Sequence, residues 1–148
     1  MLKPDKIVIH HSLTKDSGTV SWIAIDYYHT HIRGWRDIGY HAGIEQVGEA
    51  FLCMAGRPIH EYGAHVFSHN AHTLGFCFVG NFDKRKPSNE LLHTAARRVL
   101  VPWLLQFGLE PKDLVPHSDY ADKTCPGTQF DIKALRRACN LELLDVRM

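Results

Sequence analysis

The chain has 148 residues, of which 45% are hydrophobic and 22% are charged, and its formal net charge is +1. These fractions favour one globular domain over residues 1–148, and the near-zero charge argues against a nucleic-acid-binding surface. The sequence contains neither a secretory signal nor the roughly 18 consecutive apolar residues of a membrane-spanning helix. We therefore expect synthesis in the cytoplasm, without a signal peptide and without an integral membrane segment.

The N-terminal part of the chain is predicted to contain one strand and one helix. Residues 6–10 are rich in β-branched side chains, which favours a strand. Residues 20–32 have apolar side chains at helical spacing, with Thr19 as a candidate N-cap, and Gly34 is expected to end this helix. Three aromatic side chains of the helix are expected to pack into the core: Trp22, Tyr27 and Tyr28.

The middle of the chain is predicted to be rich in strands. Residues 40–45 and 50–54 have the pattern of two strands joined by a tight turn, which is typical of a hairpin. A loop that contains glycine and histidine follows at residues 57–71. Residues 73–80 are apolar on both faces, as expected for a strand in the centre of a sheet.

Two more helices are predicted in the C-terminal half. Ser88 is expected to cap the first, which contains Pro102 as a kink or break and ends at Gly108. The second is predicted at residues 131–141. The order of the elements predicts an α/β fold in which a central mixed sheet is flanked by about three helices.

The segment at residues 116–127, PHSDYADKTCPG, contains the strongest chemical signal of the chain. It places His117, Lys123 and Cys125 at positions i, i+6 and i+8, and a loop can bring residues at this spacing to one point. A neutral imidazole and a thiolate are good ligands for Zn²⁺, and a nearby ammonium group can stabilise an oxyanion. Of the four cysteines, Cys125 is the one in a polar, turn-rich loop, and none of the four forms a C-x-x-C pair.

A third metal ligand can come from the adjacent histidines at the end of the first strand, His10 and His11. Side chains alternate between the two faces of a strand, so these two imidazoles must point in opposite directions. Only one of them can therefore join the metal site. The alternation itself does not choose between them.

Five segments, taken together and in this order, resemble a known family. They are residues 7–12 (IVIHHS), 34–41 (GWRDIGYH), 63–65 (GAH), 74–82 (LGFCFVGNF) and 117–127, which ends in KTCPG. On these segments the chain resembles the zinc-dependent N-acetylmuramoyl-L-alanine amidases, the family of T7-type phage lysozymes and animal peptidoglycan recognition proteins. The resemblance extends over nearly the whole chain and ends near Leu141.

The resemblance implies an amidase fold with a central mixed sheet and one catalytic zinc ion. The matching zinc ligands are His10, His117 and Cys125, and the matching catalytic pair is Tyr40 and Lys123. Three protein ligands leave the fourth position of a tetrahedral zinc to water, whose pKa falls to about 7 there. We expect this water to attack an amide carbonyl, while Tyr40 orients it or transfers a proton and Lys123 stabilises the oxyanion.

Three residues are candidates for substrate binding: His65, Asn70 and Arg57. The resemblance places the histidine-rich loop beside the substrate groove, where imidazole and amide groups suit the hydroxyls and amides of a sugar–peptide ligand. Arg57 and Arg36 are candidates for binding a carboxylate of the stem peptide. For the polar residues of the loop other than His65, an ordinary solvated loop is an equally good interpretation.

The function that we expect is hydrolysis of the amide between N-acetylmuramic acid and L-alanine in bacterial peptidoglycan. The partner is then peptidoglycan, through its glycan strand and stem peptide, and we expect the enzyme to be a monomer. The sequence favours a phage or prophage endolysin that acts on the cell wall after its release.

Two other functions stay open. One is a non-catalytic peptidoglycan-binding module, but family members of that kind generally lack a zinc ligand, most often the cysteine. The other is a cytosolic amidase that recycles muropeptides, and members of that branch have aspartate at the position of Cys125.

Overall fold

The computed structural model describes residues 1–13 and 21–148. Five strands form one sheet in the order β3-β2-β4-β1-β5. Their bounds are Lys6–His11 for β1, Ala42–Val47 for β2, Ala50–Ala55 for β3, Thr73–Phe78 for β4 and Leu114–Pro116 for β5. The predicted mixed sheet is confirmed, and the strand predicted to be central, β4, lies in the middle of it.

The directions of the strands place the end of β1 beside the end of β5. Strand β1 is parallel to β4 on one side and to β5 on the other, β2 is parallel to β4, and β2 and β3 form the predicted antiparallel hairpin. Strand β5 was not predicted, because it has only three residues and ends in Pro116. Its parallel pairing with β1 brings the chain after Pro116 to the edge where β1 ends.

The first helix, α1, covers Trp22–Tyr27 and continues as a π-helical turn over Tyr28–Ile32. Its N-cap is Ser21, whose hydroxyl accepts from the backbone N–H of Ala24. The predicted cap Thr19 and the predicted first residue, Val20, lie outside the described residues.

One of the three aromatic residues of α1 lies in the core. Trp22 is buried, whereas 57% of Tyr27 and 49% of Tyr28 is exposed. The prediction that all three pack inward was therefore wrong for the two tyrosines. The physical reason is that only the face of α1 that contains Trp22 and Ile25 packs against Cys77 of the sheet.

The second predicted helix consists of three segments: α2 at Asn89–Ala95, a π-helical segment at Ala96–Leu100 and α3 at Val101–Phe107. The hydroxyl of Ser88 accepts from the backbone N–H of Leu91, as expected for its cap. Pro102 has no N–H to donate to the carbonyl four residues earlier. The helix does not break there, and the π-helical segment lies immediately before α3, which contains this proline. Gly108 ends α3 with a left-handed φ of +65°.

The last helix, α4, covers Ile132–Arg147 and is longer than the predicted 131–141. Its buried side chains include Leu135 and, beyond the predicted end, Leu143. The core between this helix, α2, α3 and the sheet contains large side chains with almost no exposed surface: Phe76, Phe78, Leu100, Leu104 and Leu135. Within the described ranges, no helix combines the length and the apolar character that crossing a membrane requires.

Candidate metal centre and cleft

A cleft of about 890 Å³ opens at the edge of the sheet where β1 and β5 end. The predicted ligands and the predicted catalytic pair all line this cleft, although they are far apart in the sequence: His10, Tyr40, His117, Lys123 and Cys125. The structure therefore brings five of the sequence-predicted site residues to one place. Two of the three predicted substrate-binding residues, His65 and Asn70, line it as well.

Three side chains at the floor of the cleft form a candidate metal centre. The ligand atoms of His10, His117 and Cys125 all lie within 4.8 Å of one another. The Nδ1 atom of His10 is 3.8 Å from the Cys125 sulfur, and the rings of His10 and His117 are 4.6 Å apart between centroids. Two nitrogen donors and one sulfur donor that surround one point fit a single divalent ion of the kind that prefers these ligands.

The sheet places His10, and not His11, in this cluster. His10 is paired in register with Cys77 of β4, and both side chains lie on the face of the sheet that α1 covers. His11 faces the other side, where its Nδ1 accepts from the backbone N–H of Phe82 at 3.1 Å. Its own backbone N–H points to the Cys125 sulfur at 3.3 Å. His11 thus contributes to the centre through its main chain.

A network around Asp83 holds the loop that contains Cys125. The Asp83 carboxylate accepts from the backbone N–H of Thr128 at 2.8 Å and from the hydroxyl of Thr124 at 3.1 Å. These hydrogen bonds lower the pKa of Asp83 below its usual value. At Gly127, with φ of +127°, a Cβ would lie 2.4 Å from the carbonyl carbon of Phe82, so only glycine allows this close approach.

Burial decides the protonation of the donors at neutral pH. It is the main reason why the pKa of His10 is well below its usual value and that of His117 falls to about 4, so both imidazoles are neutral. Burial also raises the pKa of Cys125 to about 11, despite the opposing hydrogen bond from His11. The nitrogen lone pairs are therefore available to a cation, whereas the metal-free thiol keeps its proton.

Comparison with known proteins identifies the family. Residues 1–128 match the model of the family described as N-acetylmuramoyl-L-alanine amidase. The chain belongs to the N-acetylmuramoyl-L-alanine amidase family. This assignment agrees with the resemblance seen in the five sequence segments.

Several relatives of this amidase show how far the similarity extends. The endolysin of Klebsiella phage KP32 is 32% identical over 130 residues, which cover 86% of this chain and 82% of that protein. Peptidoglycan-recognition protein LB of Drosophila melanogaster is 30% identical over 101 residues, 68% of this chain but only 42% of the relative. The amidase LysC from Clostridium intestinale has a similar structure, with a TM-score of 0.80 and 27% identity over 94% of this chain and 87% of its own.

The predicted catalytic pair of the amidase lies on the walls of the cleft. The ring of Tyr40 is 5.1 Å from that of His10 between centroids. Burial is the main reason why the pKa of Tyr40 is well above its usual value, so its phenol keeps the proton. Lys123 is exposed at the cleft, and its positive charge is one of the causes of the low pKa of His117.

Arg57 has a structural position instead of the predicted substrate contact. Its side chain is buried and donates to the carbonyls of Ile38 at 2.8 Å, of Tyr62 at 2.9 Å and of Asp37 at 3.4 Å. Arg57 is not among the described residues that line the cleft. The prediction failed there because a buried arginine can be fully used by backbone carbonyls, which the sequence does not reveal. Arg36, the other candidate, forms an ion pair with Glu61 at 2.7 Å.

His29 and Tyr120 are among the described cleft residues that were not predicted. His29 lies in the π-helical turn that follows α1 and accepts from the backbone N–H of Gly39 at 3.0 Å. In the sequence it follows Trp22 and Ile25 at helical spacing. That helical spacing was the signal that could have identified it. Tyr120 lies within the 116–127 segment itself.

Replacement of Arg57 with methionine should destabilise the amidase without a direct effect on substrate binding. Backbone carbonyls would lose a charged donor, and we expect the free energy of unfolding to fall by about 1.5–3 kcal/mol. Urea denaturation measures this change. The control Arg36→Met removes an ion pair that is largely exposed and should leave the free energy of unfolding almost unchanged. Unchanged stability of Arg57→Met together with a raised KM would instead support the original substrate contact.

Proposed function

We propose that this chain is a zinc-dependent hydrolase that cleaves the amide between N-acetylmuramic acid and L-alanine of peptidoglycan, and that it acts as an endolysin. The observation that carries the proposal is the cluster of His10, His117 and Cys125 at the floor of a cleft in a member of this family. The endolysin role is supported by the phage relative, because the matched region covers 82% of that protein.

We assign His10, His117 and Cys125 as the zinc ligands. His10 would bind through Nδ1, the nitrogen that faces Cys125. A zinc ion held by these three residues would supply an activated water and a Lewis acid for the amide carbonyl. The cleft gives a substrate carbonyl access to these three side chains, because all of them line it.

We assign catalytic roles to Tyr40 and Lys123. An amide carbonyl is a poor electrophile, so the negative charge that develops on its oxygen needs a partner, and the exposed ammonium of Lys123 can supply one. Tyr40 keeps its proton at neutral pH and can therefore orient the attacking water by hydrogen bonding.

Of the predicted substrate-binding residues, we retain Asn70. Its Oδ1 accepts from the backbone N–H groups of His65 and Val66, which leaves its amide N–H groups for the substrate.

The products formed from purified Gram-negative sacculi test this function. The zinc-loaded protein should release stem peptides that begin with L-alanine and leave free lactyl groups on muramic acid, as seen by mass spectrometry. Cys125→Ala has only two protein ligands left and should lose both zinc and turnover. Wild-type protein that holds zinc and binds sacculi without cleaving them would favour a recognition module instead.

Zinc binding should release about one proton near pH 6, where a zinc-bound water with a pKa of about 7 would still keep its proton. The thiol of Cys125, with a pKa of about 11, must deprotonate to bind the ion, while His117, with a pKa of about 4, is already neutral. The apparent affinity should therefore rise about tenfold per pH unit across this range and fall as the solution is acidified. Isothermal titration calorimetry in buffers of different ionisation enthalpy counts the proton.

The control for this measurement is Cys53→Ser. Cys53 lies on β3 and does not belong to the donor cluster, so its removal should leave the proton count unchanged. A count of zero for the wild type would mean that Cys125 is not a ligand.

Replacement of Lys123 with methionine should preserve zinc content and lower kcat by about 10²–10³-fold, because one charge that stabilises the developing oxyanion is lost. Initial rates on a soluble muropeptide, together with metal analysis of the same sample, measure both quantities. Lys133→Met is a matched control, since Lys133 is exposed at the start of α4. An unchanged kcat would remove Lys123 from the mechanism.

A further inference from the structure

The ring of His10 has a second partner inside the protein. Its Nε2 lies 2.9 Å from Nδ1 of His65, and the two rings meet nearly at right angles, with an interplanar angle of 82°. The other nitrogen of His10, Nδ1, faces Cys125. The two nitrogens of this imidazole are therefore divided between His65 and the metal centre.

The surroundings of His65 determine which nitrogen of each ring carries a proton. Nε2 of His65 lies 3.4 Å from the carbonyl oxygen of Thr73 and 3.3 Å from its hydroxyl oxygen. The hydroxyl proton of Thr73 is already donated to the carbonyl of His69 at 2.7 Å. Both neighbours of His65 Nε2 are therefore acceptors, and this nitrogen must be the donor.

The tautomer of His65 then determines the tautomer of His10. A neutral imidazole has one N–H and one lone pair, so a proton on Nε2 of His65 leaves a lone pair on its Nδ1. That lone pair can only accept, and the donor is Nε2 of His10. His10 consequently presents the lone pair of its Nδ1 to the position between His117 and Cys125.

The fold holds the ring of His65 tightly in this place. A Cβ on Gly75 would lie 2.6 Å from Cγ of His65, and a Cβ on Gly63 would lie 2.7 Å from its Cδ2. Contacts this short would displace the ring, so both positions require glycine. The main chain of His65 is held as well, because Oδ1 of Asn70 accepts its N–H at 2.9 Å.

We infer that His65 is a positioning residue, which holds His10 in the tautomer with the proton on Nε2 and thereby directs Nδ1 to the metal. This inference rests on the proposed function, because it requires His10 to be a metal ligand. It replaces the predicted role of His65 in substrate binding, since both ring nitrogens are used within the protein. Partners of this kind orient metal-binding histidines, and their loss typically weakens metal binding by about 10–100-fold.

Zinc affinity, measured by competition with a chelating dye, tests the role without any measurement of activity. His65→Ala removes the acceptor, and we expect it to bind zinc about 10–100-fold more weakly than the wild type. His65→Asn places a carbonyl oxygen close to the former Nδ1 and should bind zinc at least about fivefold more tightly than His65→Ala. His72→Asn, at the end of the same loop, is the matched control and should bind zinc like the wild type. Circular dichroism confirms that each variant is folded.

The protonation of His10 gives a second measurement, which a purely structural role of His65 would not change. In long-range ¹H–¹⁵N correlation spectra of the metal-free protein, Nε2 of His10 should carry the proton. In His65→Ala we expect this preference to be lost, and in His65→Asn we expect it to return.

The outcomes separate this inference from the proposed function. A wild type that binds zinc as tightly as His65→Ala overturns the positioning role, and so does equally weak binding by His65→Asn and His65→Ala. A proton on Nδ1 of His10 in the metal-free wild type overturns it as well. A wild type that shows the expected tautomer but binds no zinc overturns the proposed function and leaves the hydrogen bond intact.

Discussion

The pairing of strand β1 with two parallel neighbours is the constraint on which the rest of the site depends. Strand β1 pairs with β5 as far as Ile9 and with β4 as far as His11, so His10 directly follows a segment that is held on both sides. Its imidazole therefore has one fixed direction. The parallel strand β5 delivers His117 to the same edge. The loop then returns to β1, where the backbone N–H of His11 meets the sulfur of Cys125.

Burial gives this arrangement its chemical character. The donors lie in surroundings that disfavour charge, so the histidines are neutral and the metal-free thiol is protonated near pH 7. In the proposed function a divalent ion would reverse this preference for Cys125, since the thiolate would be its ligand. The open side of the same cluster is the cleft, which contains the neutral phenol of Tyr40 and the ammonium of Lys123. Largely buried donors and an accessible cleft are thus parts of one structure.

Local signals in the sequence predicted most of the elements. The hydroxyl of Ser88 caps its helix as expected, and β4 is central because both of its faces are apolar. Elements that depend on distant partners were predicted less well. The short strand β5 exists through its pairing with β1, and the last turns of α4 extend beyond the prediction because Leu143 is still buried.

The sequence by itself determined the family and the set of donor residues, because these follow from residue types at fixed spacings. The family resemblance selected His10 over His11, but only the tertiary structure gave the physical reason, since alternation within a strand does not reveal which face meets the cleft. It also separated the roles of His65 and Arg57, two polar side chains that the sequence treats alike. Hydrogen bonds between distant groups, from His10 to His65 and from Arg57 to backbone carbonyls, define those roles. Partners of this kind come together only when the chain is folded.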